Sequence, residues 1–425
     1  MRPYRRSSAA RFCRAALLCS LVIPLASSRA LNPAACLEQQ DVKAASDPGP
    51  KAQADEIKEL TETGLQHYYS MEYGEAENDF RQALALDPDN AATINHLLNT
   101  LLFDQLNRSG ALNTSLYASD KFLALKKPAS VDARVAAEIR KLTERSLELS
   151  NQRLARHPDD EGALYDRGVT RGLYATYEAL VEHAWFSALR SAVGARRDHQ
   201  RVMTLDPANT DARMIVGMHT YIAGSLPWAV KVGASMMGMS GNKERGLALL
   251  QQAADGNGGS SVDARIALAL FLRREQRYEQ ALATVRWLTS AFPKNFLFAL
   301  EQANLLKDMG RNQEAVDSFE GLLSQAHEGR FHDPRLEFAY YGLGEMLRGR
   351  HQYGDAANAF DDALKLPRLD GDIRQRCALS AGEMHDLMND RADALKEYQL
   401  ALAGDASTPT AQLAKRYLHE PYRMQ

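Results

Sequence analysis

Residues 262–319 read VDARIALALFLRREQRYEQALATVRWLTSAFPKNFLFALEQANLLKDMGRNQEAVDSF, and one short pattern occurs twice within them. A small residue is followed twelve positions later by an alanine, and a larger side chain stands four positions after that alanine. Small residues at this spacing are typical of helical hairpins whose two backbones approach closely. The pattern occurs four times before Leu402, as Ala269/Ala281/Val285, Ala303/Ala315/Phe319, Gly344/Ala356/Phe360 and Gly382/Ala394/Tyr398.

The first two pairs are offset by 34 residues, which is the period of the tetratricopeptide repeat, a helix–turn–helix unit. The later offsets are 41 and 38 residues, as expected where loops between hairpins are longer. Residues 57–90 follow the same pattern through Gly64, Ala76 and Phe80. The chain therefore resembles tetratricopeptide proteins, and we predict an all-α superhelical solenoid of about eight hairpins, two of them with long apolar inserts.

The two long hairpins precede the regular repeats. Gly168 and Ala195 are 27 residues apart, and Gly217 and Gly246 are 29 apart, where twelve is usual. The extra residues predict two apolar inserts, at 180–193 and 226–239. Packing inside the hairpins, a lid or partner surface, contact with a membrane, and a shared pocket for an apolar ligand all remain open. The residues concerned are Trp185, Phe186, Leu226, Trp228, Met236, Met237 and Met239.

Part of this region has a second, narrower resemblance. YIAGSLP at 221–227 and GMSGNKERGL at 238–247 are similar to a sequence box of eukaryotic tetratricopeptide proteins related to the fungal inclusion body clearance protein. Met239 stands where that family favours Phe, and Lys243 where it favours Arg. The resemblance covers roughly residues 164–255 and implies repeats with long inserts. It also implies an intracellular protein associated with organelle membranes and with lipid or aggregate handling.

The N-terminus predicts export instead. Five arginines precede an apolar stretch at 15–26, and Ser28-Arg29-Ala30 offers small residues for a signal peptidase. We expect an exported protein, in a periplasm or another extracytoplasmic space. An uncleaved anchor is one alternative, and lipid attachment at Cys36 is another.

Charge and motifs exclude several function classes. Loss of residues 1–30 would remove six arginines and no acid, which changes the net charge from −3 to −9 and argues against nucleic-acid binding. The sequence contains no phosphate-binding loop, dinucleotide fingerprint or His-Glu-x-x-His motif. We therefore predict no catalytic residues, no cofactor and no metal ion.

The first helices of the regular repeats predict a binding groove, because the concave surface of such a solenoid is lined by them. Their predicted solvent-facing side carries five cations, and only two acids, Glu345 and Glu383, lie among them. Guanidinium groups suit carboxylates, so we expect a protein or peptide partner, with an acidic segment as one candidate. The alternative is a solvated face on which the charges are clustered by chance. The groove residues are Arg273, Arg274, Asn304, Lys307, Tyr341, Arg348 and Arg376.

The leading hypothesis is a non-catalytic scaffold or adaptor that binds a protein or peptide in this groove. The alternative is a binding component for a small apolar ligand, or an accessory protein of a transport system. The predicted organisation is a signal peptide (1–30), a disordered lead-in (31–52), N-terminal hairpins (53–158), long-insert hairpins (159–259), four regular repeats (260–404) and a closing helix with a tail (405–425).

Overall fold

The computed structural model describes residues 50–114, 130–225 and 241–424, and these residues form seventeen α-helices and no strand. The predicted signal peptide, Cys36 and the 226–239 insert lie outside them. Residues 50–52, which the sequence assigns to a disordered lead-in, form the first turn of a helix. Among the described helices, none combines the length and hydropathy that a membrane span requires.

The helices follow one another as eight pairs and one further helix, which agrees with the predicted number of hairpins. In chain order they are α1 Pro50–Tyr69 and α2 Tyr73–Leu86; α3 Ala91–Arg108 and α4 Ala133–Arg156; α5 Glu161–Leu180 and α6 Trp185–Leu205; α7 Thr210–Ser225 and α8 Lys243–Asp255; α9 Ser261–Arg274 and α10 Tyr278–Ala291; α11 Phe296–Asp308 and α12 Asn312–His327; α13 Leu336–Gly349 and α14 Tyr353–Leu364; α15 Gly371–Leu387 and α16 Arg391–Leu402; and α17 Pro409–Tyr417.

Contacts divide the chain into two compact units. Among the described residues, unit 1 comprises 50–112, 130–225 and 241–284, and unit 2 comprises 113–114 and 285–424. Unit 2 therefore contains three complete hairpins, α11 to α16, and the closing helix α17.

The small residue of each first helix lies under the larger side chain of the second helix. A Cβ added to Gly344 would be 2.5 Å from the ring of Phe360, and one added to Gly382 would be 2.6 Å from the ring of Tyr398. Both rings are fully buried. Contacts this short exclude any side chain larger than hydrogen at the two glycines. The predicted reason for small residues is therefore confirmed, and the large residue four positions after the alanine is the group that needs the space.

The large side chain of a second helix can also contact the first helix of the following hairpin. A Cβ added to Gly342 of α13 would be 2.5 Å from Phe319 of the preceding hairpin. In unit 1, Phe80 stacks on His96 of α3 with ring centroids 5.2 Å apart. One aromatic side chain thus stabilises both the hairpin and its contact with the following one.

In the hairpin of α7 and α8 the small and large residues exchange helices, with the glycine on the second helix and the aromatic residue on the first. A Cβ added to Gly246 of α8 would be 2.4 Å from the backbone nitrogen of Tyr221, so the glycine of the second helix lies against the first. Tyr221 in turn stacks on Phe271 of α9, with centroids 4.0 Å apart. The aromatic residue that links the two hairpins is therefore on the first helix here.

The hairpin of α5 and α6 holds its extra residues in longer helices. α5 has 20 residues and α6 has 21, and only residues 181–184 separate them. Residues 185–193, predicted as part of an insert, are thus the first turns of α6. Trp185 packs against Ala179 and Ala188, whereas Phe186 is exposed. This segment is therefore helical, and Trp185 is the large apolar side chain in it that packs within the hairpin.

The glycine contacts predict opposite effects for two glycine-to-alanine changes in unit 2. In Gly344→Ala the new methyl group would collide with the buried Phe360 ring, and we expect a loss of about 1–3 kcal/mol in the free energy of unfolding. Gly321→Ala is the matched control, because α12 has open space at Gly321. It should gain about 0.5–1 kcal/mol from helix propensity. Urea unfolding of both variants measures the difference, and equal effects would contradict the packing described.

Candidate functional site

The predicted groove residues fall in both units. Arg273 and Arg274 lie at the end of α9 in unit 1, and the other five lie in unit 2. Arg273 is buried, with 4% of its surface exposed, and so is most of α9. The expectation that Arg273 faces solvent is therefore wrong.

Four first helices of unit 1, α3, α5, α7 and α9, are buried on most sides, whereas α1 is largely exposed. In α3 and α7 almost every residue is buried, including polar ones such as Asn95, Asn99 and His219. The hydroxyl of Tyr69, at the end of α1, donates to the carboxylate of Asp263 in α9 over 2.8 Å. Because α3, α5, α7 and α9 are covered, these four helices present little surface to a partner.

Three histidines of unit 1, on α3, α6 and α7, belong to the core. Burial lowers the pKa of His96 and of His199 to about 4, and that of His219 to about 3. They are therefore neutral at physiological pH. His199 occupies the position four residues after Ala195 and fills the space over Gly168, as Phe360 does over Gly344.

In unit 2 the predicted residues come together in two facing rows. Tyr341, Glu345 and Arg348 lie three and four residues apart on one side of α13, and Arg376 and Glu383 lie seven apart on α15. The guanidinium of Arg376 is 4.3 Å from the ring centroid of Tyr341, and an Arg348 nitrogen is 2.8 Å from a Glu383 oxygen. We call this surface the α13–α15 face.

Arg348 is shared by several groups. It pairs with Glu383 and, at 3.6 Å, with Glu345, and it also donates to the hydroxyl of Tyr422 over 2.8 Å. Burial raises the pKa of Glu383 to about 7, with Arg348 opposing the rise and Glu345 adding to it. One guanidinium therefore compensates two carboxylates, of which Glu383 is buried.

Arg376 has a different environment. It is half-buried and lies over Tyr341, whose pKa is raised by burial. Among the residues that the structure describes, no carboxylate forms an ion pair with Arg376. A cation held against an aromatic ring in this way is positioned to meet an anion.

The remaining predicted residues lie on α11. Asn304 is buried and Lys307 is half-buried. Glu301, one turn before Asn304, is buried and accepts a hydrogen bond from the Thr114 hydroxyl. Glu337 of α13 is also buried and pairs with Arg335. The predicted excess of cations is therefore smaller than the sequence suggests, because the inner helices of unit 2 also carry these buried acids.

Sequence reasoning missed Tyr422 and Asp386. The backbone N–H of Tyr422 donates to Asp386 over 2.7 Å, and the Tyr422 ring lies 5.5 Å from the guanidinium carbon of Arg348. Tyr422 follows a proline after the closing helix, a position with no repeat register from which a contact could be predicted.

Two further features of unit 2 do not match a ligand site. His385, Asp390 and Asp393 place possible metal ligands within 4.8 Å of one another. Asp390 caps α16, however, and Asp393 pairs with Lys396, so both carboxylates are engaged. A cleft of about 380 Å³ between α12, α13 and α14 is lined by acids and amides as well as apolar groups, which does not suit a purely apolar ligand. Its lining includes Gln313, Glu320, Asp355, Asn358 and Asp362.

The helix pairs, their glycine contacts and their period define a tetratricopeptide repeat protein. Residues 226–368, about a third of the chain, match the family model Iml2/Tetratricopeptide repeat protein 39. The match shares residues 226–255 with the sequence resemblance and continues into the regular repeats. No curated protein sequence matches the chain.

Solved structures with the same repeat are similar at low identity. A tetratricopeptide repeat protein from Parabacteroides merdae ATCC 43184 is 16% identical, covering 77% of this chain and 99% of its own, with a TM-score of 0.33. Yeast Tom70 is 13% identical, covering 86% and 88%, with a TM-score of 0.35. A human IFIT1 dimer with PPP-AAAA is 12% identical, covering 88% and 85%, with a TM-score of 0.42.

The raised pKa of Glu383 predicts a pH-dependent stability that a single substitution removes. The folded chain holds this proton more tightly than the unfolded chain, so the stabilisation is complete below about pH 4.5 and is lost as the pH rises through about 7. Glu383→Gln should therefore gain on the order of 2–3 kcal/mol relative to the unsubstituted protein between pH 5 and pH 8.

Urea unfolding at several pH values measures this difference. Glu320→Gln, at an exposed glutamate of α12, is the control and should leave the pH profile unchanged. Parallel profiles for Glu383→Gln and the unsubstituted protein would show that Glu383 has an ordinary pKa.

Proposed function

We propose that the chain is a non-catalytic scaffold that binds an extended segment of a partner protein on the α13–α15 face. The observation that carries this proposal is the pairing of Tyr341 with Arg376 beside Arg348 on two neighbouring first helices. These side chains are half-buried and polar, which is typical of a surface that recognises a peptide. The buried first helices α3, α7 and α9 of unit 1 offer no comparable surface.

The chemistry of Arg376 favours an acidic residue in the partner. Arg348 pairs with Glu383 and Glu345, whereas Arg376 lies against Tyr341 and senses the charge of Asp372 without forming an ion pair among the described residues. A carboxylate placed beside Arg376 would add a charge-assisted hydrogen bond to the cation–π contact. Lys307 on α11, which the sequence also predicts as a groove residue, would extend the preference for acids.

The chemistry of the described residues supports a binding role over a catalytic one. Cys377 is the free cysteine among them, and burial raises the pKa of its thiol to about 12, so it would not act as a nucleophile. The buried histidines have lowered pKa values and lie within the core of unit 1. Export remains part of the proposal and rests on the basic and apolar N-terminus.

One observation favours the alternative of an apolar contact. Phe186 is 69% exposed near the start of α6, where its ring is accessible to an apolar ligand. The 226–239 insert, the other element of that hypothesis, lies outside the described residues. Native mass spectrometry of the purified chain would reveal a co-purified lipid or solute.

The peptide-binding proposal predicts the effect of a change at Arg376. The immobilised chain should select peptides rich in Asp and Glu from a random displayed library. Arg376→Gln should weaken binding of the selected peptides about tenfold or more, because the charged hydrogen bond is lost. Isothermal titration with a synthetic selected peptide measures the change.

The matched control is Arg368→Gln, at an arginine whose side chain is 83% exposed between α14 and α15. It changes the net charge equally and should leave the affinity unaltered. Selection of no peptides, or equal effects of the two substitutions, would be evidence against the α13–α15 face as a binding site.

A further inference from the structure

The segment that follows the closing helix lies on the α13–α15 face. Residues 420–424, with the sequence EPYRM, run from the end of α17 towards the turn between α13 and α14. Tyr422 contacts Arg348 of α13 and Asp386 of α15, and the sulfur of Met424 accepts a hydrogen bond from the Tyr353 hydroxyl over 3.3 Å. We call these residues the 420–424 segment.

Tyr422 is held as a bound peptide residue would be. Its backbone N–H donates to Asp386, its hydroxyl accepts from Arg348, and its ring lies beneath the same guanidinium. The ring also meets Tyr417 edge-on, with centroids 5.3 Å apart. The subsite therefore recognises a main-chain N–H, an aromatic ring and a phenol oxygen at once. These groups together specify a tyrosine in an extended chain.

The 420–424 segment has few other attachments. Glu420, Pro421, Arg423 and Met424 are exposed, and Tyr422 alone is half-buried. A segment with so little buried surface opens at low free-energy cost.

Release of the segment would not unfold the closing helix. Arg391 donates to the carbonyl oxygens of Tyr417 and Leu418, and Ala411 and Ala414 of α17 are buried. These contacts all precede residue 420, so α17 stays in place when the 420–424 segment leaves.

We propose that the 420–424 segment is a self-ligand that occupies a tyrosine subsite of the α13–α15 face. A partner segment that presents a tyrosine in extended conformation would replace it. This inference rests on the proposed function, because it assigns one part of the same face. It adds that the site is covered until a competing tyrosine segment arrives.

The competition has a calculable effect. A segment attached to the protein through a short linker acts at an effective concentration on the order of millimolar. A free peptide of the same sequence must compete with it, so its apparent affinity for the intact protein should be about tenfold weaker than for a protein whose own segment cannot bind.

The test uses the full chain and a synthetic peptide with the sequence of residues 419–424. Tyr422→Ala in the protein should open the subsite, and saturation-transfer NMR should then show binding of the peptide with the strongest effect on its tyrosine ring. The unsubstituted protein should bind the peptide about tenfold more weakly. Arg423→Ala, at the exposed neighbour, is the matched control and should behave as the unsubstituted protein.

A second peptide, with alanine in place of tyrosine, should bind neither protein. Equal binding to Tyr422→Ala and to the unsubstituted protein, or no binding to either, would overturn the self-ligand proposal. Thermal unfolding of Tyr422→Ala checks that the variant is folded. Selection of acidic peptides through Arg376 is measured in a separate experiment. If the self-ligand proposal fails, the proposed function is still tested by that experiment alone.

Discussion

The fold depends on one steric constraint, the contact between a small residue of the first helix and a large side chain of the second. Phe360 and Tyr398 lie so close to Gly344 and Gly382 that no Cβ fits between them. Where the ring also reaches the next first helix, as Phe319 reaches Gly342, the same side chain fixes the stacking of successive hairpins. Local packing of this kind explains how hairpins of different length are accommodated in one chain, since each needs to match only its neighbours.

This constraint is what the sequence reveals most directly. The spacing of twelve and then four residues predicts the hairpins of α13 to α16 residue by residue, because both partners of the contact lie in one repeat. The spacing does not say whether extra residues are coiled or helical. Residues 180–193 contain neither glycine nor proline, and the structure continues α6 through most of them. Apolar residues without a helix breaker therefore lengthen a helix here, where the spacing alone predicts an insert.

The candidate site could be predicted only in part, for a related reason. Repeat register identifies which side chains share a face, and it groups Tyr341, Arg348 and Arg376 together. Whether that face is open depends on contacts between residues distant in sequence, such as Tyr69 with Asp263 of α9, and α9 is buried along most of its length, including Arg273. The repeat register also overstates the positive charge of this face, because the buried acids Glu301 and Glu337 lie on the same inner helices of unit 2. Tyr422 belongs to no repeat, so no periodic pattern points to it.

The electrostatics of the α13–α15 face link its two proposed roles. Arg348 divides its hydrogen-bonding capacity between Glu383, Glu345 and Tyr422. A tyrosine at this subsite would compete with the carboxylates for Arg348 and would thereby favour the protonated form of Glu383, whose pKa is about 7 with Tyr422 in place. By linkage, protonation of Glu383 must strengthen tyrosine binding by the same factor. A buried ion pair contributes little net stability by itself, so its sharing between carboxylate and phenol is better explained by recognition than by folding.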